Sequence, residues 1–138
     1  AAKFSQGLIL TLDYGFVLEE LFSPARAGGT LVSLRNHPRT VDPLADPGEQ
    51  DLTAHVNFTE LEELGSQEGL KSYGLTNFAR GLTPLAAPLL TGKEHLAESW
   101  IRNFRHLTHP SFFGHSHKIL VQGKSLPESY TPSMLGEL

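Results

Sequence analysis

Hydrophobic and polar positions along the chain predict several short β-strands. Residues 8–12 are almost continuously apolar, which is typical of a strand buried on both faces of a parallel sheet. Residues 51–58 alternate between apolar and polar side chains, which is the period of a half-buried strand. Shorter strand patterns cover residues 30–34, 70–77 and 118–122.

Two segments predict helices. Thr59 followed by Glu62 forms a capping box, and the helix that begins there ends at Gly69. Residues 93–107 have the strongest helical period, because large apolar side chains recur at three- and four-residue steps. Residues 79–90 are ambiguous between helix and loop, since one glycine and two prolines interrupt them.

The remaining segments define the expected domain organisation. Residues 36–50 carry three prolines and Gly48, so we expect a loop, long enough to serve as a binding loop or lid. We expect one domain over residues 1–124 with a loop insertion at about 24–50, followed by a poorly packed tail at 125–138.

The order of strands and helices favours an α/β fold, and specifically half of a doubly wound sheet. No strand is followed by a glycine-rich turn into a helix, the usual cradle for a nucleotide or an adenosyl group. A buried-strand pattern begins within seven residues of the first residue. We therefore expect a fragment or one half of a split protein, with a trimmed or tagged polypeptide as the alternative.

Composition and charge narrow the function classes. The 138 residues are 39% hydrophobic and carry a net charge of −4, with the positive side chains spread singly, which disfavours a nucleic-acid partner. No apolar stretch approaches the roughly 18 residues of a membrane span. The absence of cysteine excludes disulfides, Cys-zinc sites and thiol nucleophiles, and suits the cytosol or another reducing compartment.

Histidines are the first candidates for chemistry. His109, His115 and His117 lie close together and could ligate zinc, but no carboxylate lies among them, so we favour surface or loop-end histidines and predict no metal site. His37 and His55 flank the proline-rich loop, and either a functional cleft or a solvated sheet face would suit them.

Acidic and polar residues at strand ends are the second group of candidates. Asp13 follows a buried strand, and ligands of α/β sheets bind at the carboxyl ends of strands. By the alternation of residues 51–58, Thr53, His55 and Asn57 are expected to share the polar face of one strand.

Three blocks in this order resemble the C-terminal part of the MidA-like S-adenosylmethionine-dependent methyltransferases. The first is residues 10–15 (LTLDYG), the second is residues 29–31 with Arg35 and His37, and the third is residues 46–58 (DPGEQDLTAHVNF). The resemblance covers about residues 7–124. Mitochondrial members of this family act as complex I assembly factors and methylate an arginine in a subunit of that complex.

The resemblance implies the C-terminal half of a class I methyltransferase sheet, a Rossmann-like fold whose seventh, last strand is antiparallel and inserted between its neighbours. Residues 8–12 would be the fourth strand, 53–58 the fifth, 70–76 the sixth and 118–122 the seventh. The cofactor is S-adenosylmethionine, whose main binding loops we expect in the missing N-terminal part.

The resemblance also implies site residues, because methylating a guanidinium requires acceptor groups that orient it and relieve it of a proton. The residues expected to contact the cofactor are Asp13, Tyr14 and Gly15. Those expected to be catalytic are Asp13, Tyr14 and His55. Those expected to bind the substrate are His37, Asp51, Thr53 and His55.

The expected partners are a protein substrate and either the missing N-terminal half or a second copy, bound through the incomplete sheet. The expected compartment is the cytoplasm, or the mitochondrial matrix if the source is eukaryotic. This chain alone is expected to be inactive. The alternative is a non-catalytic protein-binding or assembly module derived from the same fold, since Leu34, Asn57 and Phe78 replace residues common in the family.

Overall fold

The computed structural model describes residues 4–35, 39–40, 42–92 and 95–135. The chain divides into two units, the first comprising residues 1–14 and 60–138 and the second residues 15–59. The strands are β1 (Gly7–Phe16), β2 (Val32–Leu34), β3 (Arg39–Thr40), β4 (Asp51–Thr53), β5 (Val56–Asn57), β6 (Lys71–Asn77) and β7 (His117–Lys124). The α-helices are α1 (Leu18–Leu21), α2 (Phe58–Gln67), α3 (Phe78–Thr91) and α4 (Glu98–Thr108).

In the first unit, the last strand lies in the middle of the sheet. β7 pairs antiparallel with β1 on one side, from Gly7 opposite Lys124 to Tyr14 opposite His117. On its other side β7 pairs antiparallel with β6. β1 and β6 therefore run in the same direction, and the predicted antiparallel last strand, inserted between its neighbours, is confirmed.

The predicted assignment of the fourth and fifth strands is wrong. β1 lies directly beside the last strand, the place expected for residues 53–58. Residues 51–58 do not form one strand: β4 pairs antiparallel with β2, β5 pairs parallel with the end of β1, and Phe58 already begins α2. Alternation reports one buried face but not the hydrogen-bonding partner, so it could not separate one strand from two.

The core of the first unit forms around β7. Ile119, Leu120 and Val121 are at most 2% exposed, because β7 is covered on both edges and both faces. Gln122 is also buried, on the face of β7 opposite Ile119 and Val121. Its Nε2 donates a hydrogen bond to the Glu62 backbone carbonyl oxygen in α2 at 3.2 Å, so the amide is hydrogen-bonded inside the core.

Residues near the end of the chain contribute to this core. Phe78, Ile119 and Val121 form a buried cluster against which Met134 and Leu135 pack. Tyr130 makes an edge-to-face contact with Tyr73, at 5.7 Å between ring centroids. Residues 125–138 were expected to form a poorly packed tail, but Tyr130, Met134 and Leu135 pack against the first unit. The composition of this segment does not indicate such contacts.

The ambiguous segment 79–90 is helical, within α3. The Asn77 side chain caps the helix by accepting a hydrogen bond from the backbone N–H of Arg80 at 2.9 Å. Pro84 and Pro88 each remove one helical donor, yet Gly81 and Ala86 are buried, so packing of this face outweighs the loss. α4 begins at Glu98, later than predicted, and residues 93–94 lie outside the described residues.

The second unit contains a three-stranded antiparallel sheet in the order β3–β2–β4. The proline-rich loop contributes β3 and an ion pair at 2.7 Å between Arg35 Nη1 and Asp46 Oδ2. The last two residues of β1 pair in parallel with β5, and Phe58 is fully buried. Across the described part of both units, no helix has the length and apolar character needed to cross a membrane.

We expect Leu120→Ala to lower the free energy of unfolding by about 2–5 kcal/mol, because it leaves a cavity at a fully buried position. Leu44→Ala is the matched control, since Leu44 is 83% exposed, and should change stability by less than about 0.5 kcal/mol. Urea denaturation followed by circular dichroism measures both. Equal losses would contradict the position of the core.

Candidate functional site

Asp13 and Tyr14 lie near the carboxyl end of β1, where sheets of this class bind ligands. The half-buried Asp13 carboxylate accepts a hydrogen bond from the Tyr14 backbone N–H, with 2.8 Å between Oδ1 and N. Across the strand pair, Asp13 is opposite Lys118 and Tyr14 is opposite His117. The backbone register thus places Asp13 and Lys118 on one face of this end of the β1–β7 pair, and Tyr14 and His117 on the other face.

His117 is surrounded by aromatic rings. Its ring centroid lies 4.7 Å from that of Phe113, 5.2 Å from Phe78 and 5.6 Å from Tyr14. Its Nδ1 lies 3.0 Å from the Ser116 hydroxyl oxygen. We call Tyr14, Phe78, Phe113 and His117 the His117 cluster. Each ring comes from a different element, so the imidazole is fixed by tertiary contacts.

The surroundings of His117 favour its neutral form. Desolvation by burial lowers the pKa of the imidazole below its ordinary value of 6.5, while the negative charge of Asp13 opposes this by raising it. A neutral imidazole keeps one nitrogen as an acceptor, so His117 can accept a proton or a hydrogen bond.

Sequence reasoning missed this role of His117 by grouping it with His109 and His115. The available signal was the alternation of β7, which puts residue 117 on the same face as the buried Ile119 and Val121. His109 instead accepts a hydrogen bond from the backbone N–H of Ser111 through Nδ1 at 3.2 Å. The described residues contain no group of three side chains that could hold a metal ion.

Gly15, a predicted cofactor contact, has a packing reason to be glycine. A Cβ atom there would overlap the Val56 carbonyl oxygen and lie 2.8 Å from Cε2 of the buried Phe58. The space beside Gly15 is therefore filled by β5 and the start of α2. Packing within the second unit is therefore sufficient to explain why residue 15 is a glycine.

His55 lies in the connection between β4 and β5 rather than in a strand. Its ring stacks on Phe16 at 4.7 Å between centroids, and the Arg26 guanidinium lies 3.7 Å from the centroid of the same Phe16 ring. The His55 backbone N–H donates to Thr30 Oγ1 at 3.2 Å. The imidazole is thus held in place by local contacts of the second unit.

The expected shared polar face of Thr53, His55 and Asn57 is wrong, because these residues lie in β4, the connection and β5 respectively. Asp51 and Thr53 belong to the short sheet of the second unit, opposite Leu34 and Val32. His37 lies outside the described residues. Of the predicted site residues, Asp13, Tyr14 and Gly15 lie together in one strand, β1.

Two features are typical of a methyltransferase-type α/β protein. The last strand is antiparallel to the strands on both its sides, and an acidic residue lies at a strand end. Residues 1–76, more than half of the chain, match the family described as "Putative S-adenosyl-L-methionine-dependent methyltransferase". The chain belongs to this S-adenosyl-L-methionine-dependent methyltransferase family. No curated protein matches the chain significantly.

Two solved structures from Burkholderia thailandensis are similar to this chain. One, an uncharacterised superfamily member, is 25% identical with a TM-score of 0.83 over 96% of this chain. The other belongs to the same superfamily, is described as a "likely methyl transferase" and is bound to S-adenosyl-homocysteine; it is 26% identical with a TM-score of 0.79 over 95% of this chain. This chain spans only 36% and 35% of those two proteins.

The residues of this chain fit a rim of a cofactor site but not its cradle. Asp13 and Tyr14 offer an acceptor and an aromatic ring at a strand end. The space beside Gly15, however, is filled by the chain itself. In the described ranges, no strand leads through a glycine-rich turn into a helix, the usual anion cradle of adenosyl cofactors.

We expect Gly15→Ala to lower the free energy of unfolding by about 1–3 kcal/mol, because the added methyl overlaps the Val56 carbonyl oxygen. Gly28→Ala is the control, since no atom lies within 4 Å of the corresponding position, and it should leave stability nearly unchanged. Thermal denaturation distinguishes the two variants. A stable Gly15→Ala protein would show that Gly15 is not constrained by packing.

We expect His117 to make the protein sensitive to acid. Because the pKa of His117 is lower folded than unfolded, its contribution to stability is present above pH 6.5 and lost as the pH falls through the folded pKa. The melting temperature of His117→Phe should therefore fall less between pH 7.5 and about pH 5 than that of the unsubstituted protein. The exposed His115 is the control, and His115→Phe should keep the original acid sensitivity. Identical pH profiles for all three proteins would refute the effect.

Proposed function

We propose that this chain is the C-terminal part of a class I S-adenosylmethionine-dependent methyltransferase whose complete form methylates an arginine side chain of a protein. The observation that carries the proposal is the similarity, over 95% of the chain, to a structure bound to S-adenosyl-homocysteine. S-adenosyl-homocysteine is what remains of S-adenosylmethionine after it has given up its methyl group. The family match over residues 1–76 supports the same activity.

The topology of the first unit supports the class I assignment. β7 runs antiparallel between β1 and β6, which is the order we expect for the last three strands of such a sheet. On this proposal β1 is the strand that precedes the last pair, and the main cofactor loops lie in a part of the protein that precedes this chain. By itself, the chain is expected to be inactive.

The outer side of β1 supports the existence of a covering segment. In the described part of the first unit, residues 7–14 pair with β7 on one side and with no strand on the other. On one face of β1, Leu8, Leu10 and Leu12 are 37%, 43% and 52% exposed. An unpaired edge next to exposed leucines favours addition of another strand, which we assign to the preceding segment of the complete protein. Without that segment, we expect the chain to self-associate through this edge.

Asp13 is the residue we assign to the arginine substrate. A carboxylate can form two parallel hydrogen bonds with a guanidinium, which would hold one nitrogen in a fixed direction. When bound, S-adenosylmethionine supplies an electrophilic methyl group. The attacking nitrogen must release one proton as it gains the methyl, and we assign its acceptance to His117, which the charge of Asp13 reaches from the opposite face of the β1–β7 pair. Tyr14, Phe78 and Phe113 contact the imidazole and hold its orientation.

In the second unit, we assign contacts with the substrate protein to Asp51, Thr53 and His55, and to His37 from its sequence position. Support comes from the exposed Asp51 in β4 and from the fixed ring of His55. Protein substrates bind over a larger surface than the reacting side chain, so such residues affect KM more than kcat.

The test is methyl transfer to arginine-containing protein by the complete enzyme. We expect Asp13→Asn to lower kcat at least about 100-fold, because an amide can neither carry the charge nor pair with both guanidinium donors. Asp42→Asn is the matched control, since Asp42 is exposed and caps a turn through Leu44, and it should retain activity.

Calorimetric titration with S-adenosyl-homocysteine separates the possible outcomes. Loss of turnover in Asp13→Asn with unchanged binding supports the assignment, and unchanged turnover removes Asp13 from the mechanism. If the unsubstituted protein binds S-adenosyl-homocysteine but methylates lysine or a small molecule instead of arginine, the substrate assignment is wrong. Failure to bind it or to methylate anything would favour the non-catalytic binding module.

A further inference from the structure

A cavity of about 530 Å³ lies along α4 and the turn that follows it, within the first unit. Its cationic and imidazole side chains are Arg102, Arg105, His106 and His109, which follow one another at spacings of three, four and seven residues from the first. These spacings place Arg102, Arg105 and His106 on one side of α4, and His109, in extended conformation directly after the helix, completes the lining. We call this cavity the α4 pocket. It is separate from the Asp13 and Tyr14 end of β1, and nothing in the proposed methyl transfer uses it.

The fixed charges of the α4 pocket favour an anion. Two arginines and Glu98 line it, so its arginine and glutamate side chains together carry a charge of +1. The whole chain, in contrast, has a net charge of −4. Within the part of the chain that the structure describes, neither Arg102 nor Arg105 forms an ion pair with a carboxylate. Both arginines are exposed, and a guanidinium presents a planar set of donors to a ligand.

Phe112 forms an aromatic floor that holds the imidazoles in place. The His106 ring stacks on Phe112 at 4.7 Å with an angle of 8° between planes, and His109 contacts the same ring at 5.6 Å. Because His109 Nδ1 accepts the Ser111 backbone N–H, the proton of its neutral ring lies on Nε2, which is left as a donor. The pocket thus combines hydrogen-bond donors with an apolar surface formed by Phe112 and Ile101.

We propose that the α4 pocket binds an acidic peptide segment of a partner protein, one that carries an aromatic or aliphatic side chain next to its carboxylates. Carboxylates match the guanidinium donors, and the apolar side chain matches Phe112 and Ile101. The volume suits a group of side-chain size or larger, well above a single inorganic phosphate. Two arginines are too few for nucleic acid, whose affinity grows with the number of phosphates contacted.

The test measures binding of a fluorescein-labelled acidic peptide, Glu-Asp-Phe-Asp-Glu, to the 138-residue chain by fluorescence anisotropy. We expect saturable binding that weakens as salt is added, and at least about a tenfold loss in the double variant Arg102→Gln, Arg105→Gln. The neutral peptide Gln-Asn-Phe-Asn-Gln is the ligand control. The double variant Lys71→Gln, Arg80→Gln is the protein control, because it removes the same charge from exposed positions outside the pocket.

Phe112→Ala tests the aromatic floor and should weaken the acidic peptide at least about threefold without removing any charge. Unchanged melting temperatures confirm that the variants fold. No binding of the acidic peptide, or equal losses in the two double variants, would overturn the proposal. Tighter binding of inorganic phosphate or of a single-stranded RNA oligomer than of the peptide would overturn the assigned ligand class. The proposal is independent of the methyltransferase activity, and none of these measurements uses S-adenosylmethionine.

Discussion

The insertion of β7 between β1 and β6 is the interaction on which the first unit depends. It pairs both edges of β7 and one edge each of β1 and β6, and it buries Ile119, Leu120 and Val121 almost completely. α3 and the residues that end in Leu135 pack against one face of β7, while α2 reaches the other through Glu62 and Gln122. One strand of eight residues therefore contributes three buried apolar side chains to the core of this unit.

The same strand pairing determines the chemistry at the end of β1. The register that sets Tyr14 opposite His117 also sets Asp13 opposite Lys118, so the acid–base groups are spaced by backbone hydrogen bonds rather than by flexible loops. A slip of one residue would turn His117 to the other face and separate it from Phe78 and Phe113. The position of the imidazole is thus as well determined as the core beneath it.

Sequence patterns could predict the elements whose signals are local. The bounds of α2 and of the strand that follows agree with the prediction to within a residue or two. The predicted capping box is wrong, because α2 already begins at Phe58, and Thr59 Oγ1 accepts a hydrogen bond from the Leu18 backbone N–H instead. The place of β1 beside β7 could not be derived, because periodicity shows which face is buried but not which strand is adjacent. His117 was missed for a related reason: its aromatic neighbours come from segments distant in sequence, and only folding brings them together. The family resemblance pointed to Asp13 and Tyr14 as candidates, and the structure shows their surroundings.

The central position of β7 has a consequence for how the protein forms during synthesis. Gly7 pairs with Lys124, so the two partners are 124 − 7 = 117 residues apart in the chain. The ribosome therefore releases β1 and β6 before the strand that joins them, and neither has this partner until β7 has been synthesised. Contacts of such large sequence separation slow folding and lengthen the time for which strand edges are exposed. Premature termination before β7 would leave two strands with no common partner, so quality control during translation is expected to act on such shortened chains.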